Sequence, residues 1–88
     1  MPAPTDPRVA RVLAEEVLRG QGTYAATPGA LRNLFRAVIA DSPAATSPTA
    51  AVTAARLARG DLAGLGIAVR RRQVRAGQRE WVFTLGGQ

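Results

Sequence analysis

The sequence predicts an α+β domain, three helices followed by a β-hairpin, and three observations carry that expectation. Ser/Thr-Pro pairs at Thr27-Pro28 and Ser47-Pro48 each precede apolar residues at helical spacing, which is how a capped helix with proline in its first turn begins. At Gly66 the hydrophobic period changes from about 3.6 residues to about 2, the spacing of a strand. Beyond that change, two alternating segments flank a short glycine-containing loop, the outline of a hairpin.

Taken in order, residues 1–5 are rich in proline and alanine and are expected to form a flexible tail. The domain is expected over 6–86, with 87–88 as a second tail. Thr5 or Asp6 is placed to cap a first helix over 6–19, with Pro7 leading and Gly20 and Gly22 ending it. Val9, Val12, Leu13 and Val17 form its apolar stripe. Arg8, Arg11, Glu15 and Arg19 share the other side, where i,i+4 pairing contributes a few tenths of a kcal/mol. The run Gly20-x-Gly22-x-x-Ala25 superficially fits a dinucleotide-binding fingerprint. It follows a helix rather than a strand, however, in a chain too short for the βαβ fold that such a loop requires. Thr23 and Tyr24 are better read as a short third strand.

A second helix is expected over 28–40, with Leu31, Leu34, Phe35 and Val38 inward and Arg32 and Arg36 outward, stopping at Asp41-Ser42-Pro43. A third is expected over 48–64, with Gly60 the place for a bend. At about 100° per residue its packing face holds Ala51, Ala54, Ala55, Ala58, Leu62 and Leu65, and its open face holds Thr49, Thr53, Arg56 and Gly60. Strands are expected over 67–74 and 80–85. Pairing Arg75 with Arg79 around Ala76–Gln78 keeps Ile67, Val69, Trp81, Phe83 and Leu85 on one face and turns Arg70 and Arg72 away. A two-residue Gly77-Gln78 loop would put Arg70 and Arg72 on the same face as the apolar residues, so the first register is preferred. Trp81 and Phe83, two of only four aromatics, are expected to anchor the hairpin, with Trp81 half covered. Helices followed by a basic hairpin make the outline of a winged helix-turn-helix.

Composition narrows the function. The chain has 88 residues, enough for one domain with a modest core, and a formal net charge of +6. All twelve cations are arginine, a usage that a GC-rich genome also produces. Their placement is more informative, because from Gly66 onward there are five arginines against one glutamate. A localised basic surplus suits an anionic partner, nucleic acid first and an acidic membrane surface second. Cysteine and histidine are both absent, which removes disulfides, thiol nucleophiles, the usual zinc ligands and the commonest general base. No metal or other cofactor is implied. Of the six carboxylates, Glu15 and Glu16 are helix neighbours about 100° apart that do not converge on one point, and with no nucleophile-base arrangement visible no enzyme is expected. No apolar run approaches the roughly 18 residues of a membrane span, and the amino terminus lacks a signal pattern. A soluble, cytoplasmic protein is expected.

The run Ser47-Pro48, Arg56, Leu62, Leu65-Gly66-Ile67, then an arginine-rich segment, a glycine turn and a short apolar strand, resembles the C-terminal winged-helix domain of phage and plasmid primase-helicase proteins. The resemblance covers roughly residues 7–86. It departs from the family where Ala51, Ala55 and Ala58 stand in place of larger aliphatic residues and Gly60 in place of a proline. No ATPase or primase motif is present, so the resemblance implies a DNA-binding appendage in mobile-element replication or transcription regulation.

The expectation is therefore double-stranded DNA binding. Thr49, Thr53 and Arg56 would enter the major groove, while Arg70, Arg72, Arg75 and Arg79 would take phosphates or the minor groove. Arg71 is expected to lie along Trp81 or Phe83, its stem covering the ring. The alternative is a protein-interaction module whose basic wing meets an acidic partner.

Overall fold

A computed structural model of the chain describes residues 6–75 and 77–86. The tails expected at 1–5 and 87–88 and the loop residue Ala76 lie outside the described residues, as does the side chain of Arg75. The fold is α+β, with four α-helices and one three-stranded antiparallel sheet among the described residues. In chain order these are α1 (Pro7–Arg19), β1 (Thr23–Ala26), α2 (Pro28–Val38), a single 3-10 turn (Pro43–Ala45), α3 (Pro48–Leu57), α4 (Arg59–Gly64), β2 (Ile67–Arg75) and β3 (Gln78–Leu85).

The capping chemistry read from the sequence is in place. Asp6, Thr27 and Ser47 each accept a backbone N–H through the side chain, and a proline occupies the first turn of each helix that follows. Val9, Val12, Leu13 and Val17 of α1 are all buried. Between α1 and β1 the chain turns through Gly20-Gln21-Gly22. A Cβ at Gly20 would stand 2.2 Å from the Thr23 carbonyl oxygen, so only glycine fits there. The glycine pair that superficially resembled a phosphate loop is thus a tight turn from helix to strand.

Two helices end differently from the expectation. The second stops at Val38, two residues early, and Ile39 leaves helical geometry with φ −132° and ψ 60°. Ile39 is thereby buried beside Leu31 and Phe35, while Leu34 is only half-buried and Val38 stays exposed. The expected helix over 48–64 is two helices, and the break falls at Ala58 rather than Gly60. Ala58 has ψ −2°, which turns the axis, and Leu62 lies in the core with Ala51, Ala55 and Ala58, as its spacing predicts. Leu65, assigned to the packing face by extending a straight helix, is instead exposed.

The sheet order is β1-β3-β2, so the expected third strand is present and pairs with β3. The hairpin register is shifted by two from the expected one: Val69 faces Phe83 and Arg71 faces Trp81 across the ladder. The cause is an irregularity between Gln73 and Arg75 together with a tighter loop, Arg75 opposite Gln78, in which Gly77 has φ 78°. A shift of two preserves the pleat, so the expected division of faces survives. Phe83 is fully buried and its ring stacks on Tyr24 at 6.0 Å between centroids, and Trp81 is half-buried. The hairpin is anchored to the helices by these two rings, as expected.

Candidate functional site

Arginine is distributed over the whole surface, but carboxylates are not. Arg8, beside the α1 N-cap, donates to both Asp6 and Asp41, through Nη2 to Asp6 Oδ2 at 2.8 Å and Nη1 to Asp41 Oδ1 at 3.0 Å. The Arg8 hydrogen bonds hold the Asp6 carboxyl well below the usual carboxylate range, with the Ser42 hydroxyl adding to the effect, and they lower Asp41 as well. The same two carboxylates push Arg8 up. Arg11 pairs with Glu15 at 3.8 Å and Arg19 with Glu16 at 3.1 Å. On the hairpin, Arg72 is paired with Glu80. Among the described residues, only the carboxylate of Asp61 is left without an ion-pair partner.

The opposite situation holds where α3, the start of α4 and the helix-facing side of the hairpin meet. A groove of about 600 Å³ there is lined by Thr53, Arg56, Leu57, Arg59, Val69, Arg71 and Trp81. Three of these are arginines, none is a carboxylate, and no carboxylate lies within ion-pair distance of the three among the described residues. The placement follows from local structure. Thr53 and Arg56 lie on the open face of α3, Arg59 begins α4 just past the Ala58 break, and Arg71 stands opposite Trp81 in the ladder. Leu57, Val69 and Trp81 add apolar side chains to the lining.

The structure brings together only part of the expected site. Thr53 and Arg56 line the groove, while Thr49, exposed one turn earlier on the same face of α3, is not among its lining residues. Arg70 and Arg72 lie on the other face of the hairpin, as the alternation requires, and Arg72 is occupied by Glu80. Arg70 also has an interaction partner. Arg79 lies elsewhere: it lines a recess with Gln73 and Gly77 over Thr27 and Pro28 at the start of α2. Arg75 is in β2 opposite Gln78. Arg36 is exposed, as expected of an outward position. Arg32, expected beside it, is half-buried, and its Nε–H is enclosed without a protein partner.

Two arginines that the site expectation omitted, Arg59 and Arg71, are in the groove. The signal for Arg59 was present, because i,i+3 spacing from Arg56 puts both on neighbouring parts of one helical surface. Arg71 was hidden by its alternation with Ile67 and Val69. Period alone assigns it to the inward face, and only the finished packing reveals that this face runs past the edge of the core into an open groove.

No cluster of carboxylates able to hold a metal ion occurs among the described residues, and no helix there is long and apolar enough to cross a membrane. No protein-family model, curated protein or solved structure matches the chain.

Proposed function

We propose that this chain is a winged-helix module that binds double-stranded DNA, with α3 addressing the major groove and the β2-β3 hairpin acting as the wing. The single observation that carries this is the groove holding Arg56, Arg59 and Arg71 without an opposing carboxylate, next to the exposed polar face of α3. Phosphate neutralisation by such arginines supplies affinity, and a few side chains on one helix face supply base reading. Arg56 is the candidate for a bidentate contact with a guanine edge, and Thr49 or Thr53 for contact with a thymine methyl. Arg70, Arg72, Arg75 and Arg79 are assigned to phosphates or the minor-groove rim, Arg72 after exchanging Glu80 for phosphate. A setting in phage or mobile-element replication or transcription regulation extends from the primase-helicase resemblance.

The test is duplex binding over a salt series. Binding whose logarithm falls linearly with the logarithm of salt, with a slope reduced by about 1 for each of Arg56→Ala, Arg59→Ala and Arg71→Ala, is expected. Arg56→Ala should in addition cost about 1–3 kcal/mol on a preferred site and much less on random duplex. The apolar lining contributed by Leu57, Val69 and Trp81 favours a second candidate, an acidic protein segment. Absence of duplex binding at low salt would put that partner first.

A further inference from the structure

The groove differs from a simple phosphate-binding surface in one respect. Its lining includes Trp81, the only tryptophan of the chain. Phe83, two residues along the same face, is fully buried, whereas Trp81 is only half-buried and contributes to an open concavity. Its neighbours there are Arg56, Arg59 and Arg71, and none of them is stacked on the indole, the only aromatic contact among the described residues being Tyr24 with Phe83. The Arg71 guanidinium is thus not stacked on the ring, while Arg71 and Trp81 share the groove lining.

A basic channel with an accessible aromatic surface is the arrangement by which single-stranded nucleic acid is held, guanidinium groups tracking the backbone and a base stacking on the ring. A paired base inside a duplex cannot reach such a surface without leaving its stack. Part of Trp81 packs on the core and anchors the hairpin, and the part that lines the groove is apolar surface that phosphate contact does not require.

We infer that this groove binds single-stranded nucleic acid, one base stacking on Trp81 between the Arg56, Arg59 and Arg71 guanidinium groups, so that the module engages a junction between duplex and single strand. The inference rests on the proposed function in taking the groove as a nucleic-acid surface. It adds that at a junction the unpaired strand occupies the groove while the duplex lies on α3, the groove arginines meeting duplex phosphates where no unpaired strand is present. In such a complex Arg59 and Arg71 hold the phosphates on either side of the stacked base, and Thr53 stands where the strand leaves the duplex.

Trp81 is its own reporter. An oligothymidylate, a blunt duplex and the same duplex carrying a thymidine overhang are each titrated against the 88-residue chain. Tryptophan emission reports stacking, and anisotropy of a labelled strand reports binding. The expected result is that the oligothymidylate and the overhang substrate quench Trp81 while the blunt duplex binds with little quenching, and that the overhang substrate binds most tightly. Trp81→Phe should retain most of the single-strand affinity and Trp81→Leu should lose about tenfold, with the denaturant midpoint of each variant read alongside to establish that the hairpin remains folded. Arg59→Ala/Arg71→Ala, which leaves the half-buried ring in place, should weaken binding of the oligothymidylate. If blunt duplex binds but the oligothymidylate neither quenches nor binds, the inference is overturned while the duplex function stands. Equal affinity of Trp81→Leu and the parent for the single strand also overturns it. If the oligothymidylate binds with quenching and blunt duplex does not bind, the inference holds and the duplex function fails. Failure of every substrate to bind removes both.

Discussion

Arg8, Arg11 and Arg19 on α1 each meet a carboxylate, whereas Arg56, Arg59 and Arg71 around the groove meet none among the described residues. The two regions contain the same residue type in equal number and differ only in what answers it. Charge on the α1 side is neutralised locally, so its outward field is small. Charge around the groove is left for a ligand. The formal surplus of +6 therefore understates how polarised the surface is. Five of the six carboxylates are in ion pairs, four of them with α1 and one with the hairpin's outer face.

The strongest way to break this contrast is to remove the ring on which the hairpin rests. Phe83→Ala, at a fully buried site, should cost about 3 kcal/mol, read as a lower denaturant midpoint. Because β3 holds both neighbouring strands, its loss should disperse the groove, and duplex binding should fall along with stability. A melt that overlays the parent would mean that the hairpin is held by something other than this ring.

Next in size is the direct comparison of the two arginine sets. Arg56→Ala/Arg59→Ala/Arg71→Ala should lower the salt slope of duplex binding by about 3, while Arg11→Ala/Arg19→Ala should leave it unchanged. Equal losses from both sets would show that only total charge matters, not its pairing.

A smaller effect, of opposite sign, is expected at the joint that carries Arg59 toward the groove. A Cβ at Gly60 meets nothing within 4 Å, and the residue is helical within α4. Gly60→Ala should therefore stabilise the fold by about 0.5–1 kcal/mol, seen as a higher midpoint in denaturant. A destabilised variant would mean that the bend does require glycine there after all.

The smallest effect concerns the α1 side alone. Asp6 and Asp41 have lowered folded-state pKa values because Arg8 donates to both. The unfolded value is near 3.8, so their contribution to stability is complete above that pH and is lost as pH falls below it toward the depressed folded values. Asp6→Asn/Asp41→Asn should flatten the acid limb of a stability-against-pH curve below about pH 4, with little change at neutral pH in its slope. An acid limb identical to the parent's would assign acid sensitivity to other carboxylates.

The sequence by itself determined the helix starts, the change to strand at Gly66 and the inward stripe of α1, because these depend on contacts within a few residues. Asp6, Thr27 and Ser47 cap their own helices, and Val9, Val12, Leu13 and Val17 share a face through helical geometry alone. Parity in the hairpin is equally local, which is why Arg70 and Arg72 were assigned to the outer face even though the register was two residues off. Tertiary structure decided where helices stop and what a nominally inward residue meets. The break falls at Ala58, which no local propensity marks, and with it Leu62 keeps the place that helical spacing gave it while Leu65 leaves the packing face. Likewise Ile39, just past the end of α2, is buried where Val38 was expected. Spacing from Arg56 already put Arg59 on a neighbouring helical surface, but that this surface and the inward face of β2 carrying Arg71 bound one groove is a property of the two together, which neither one's periodicity describes.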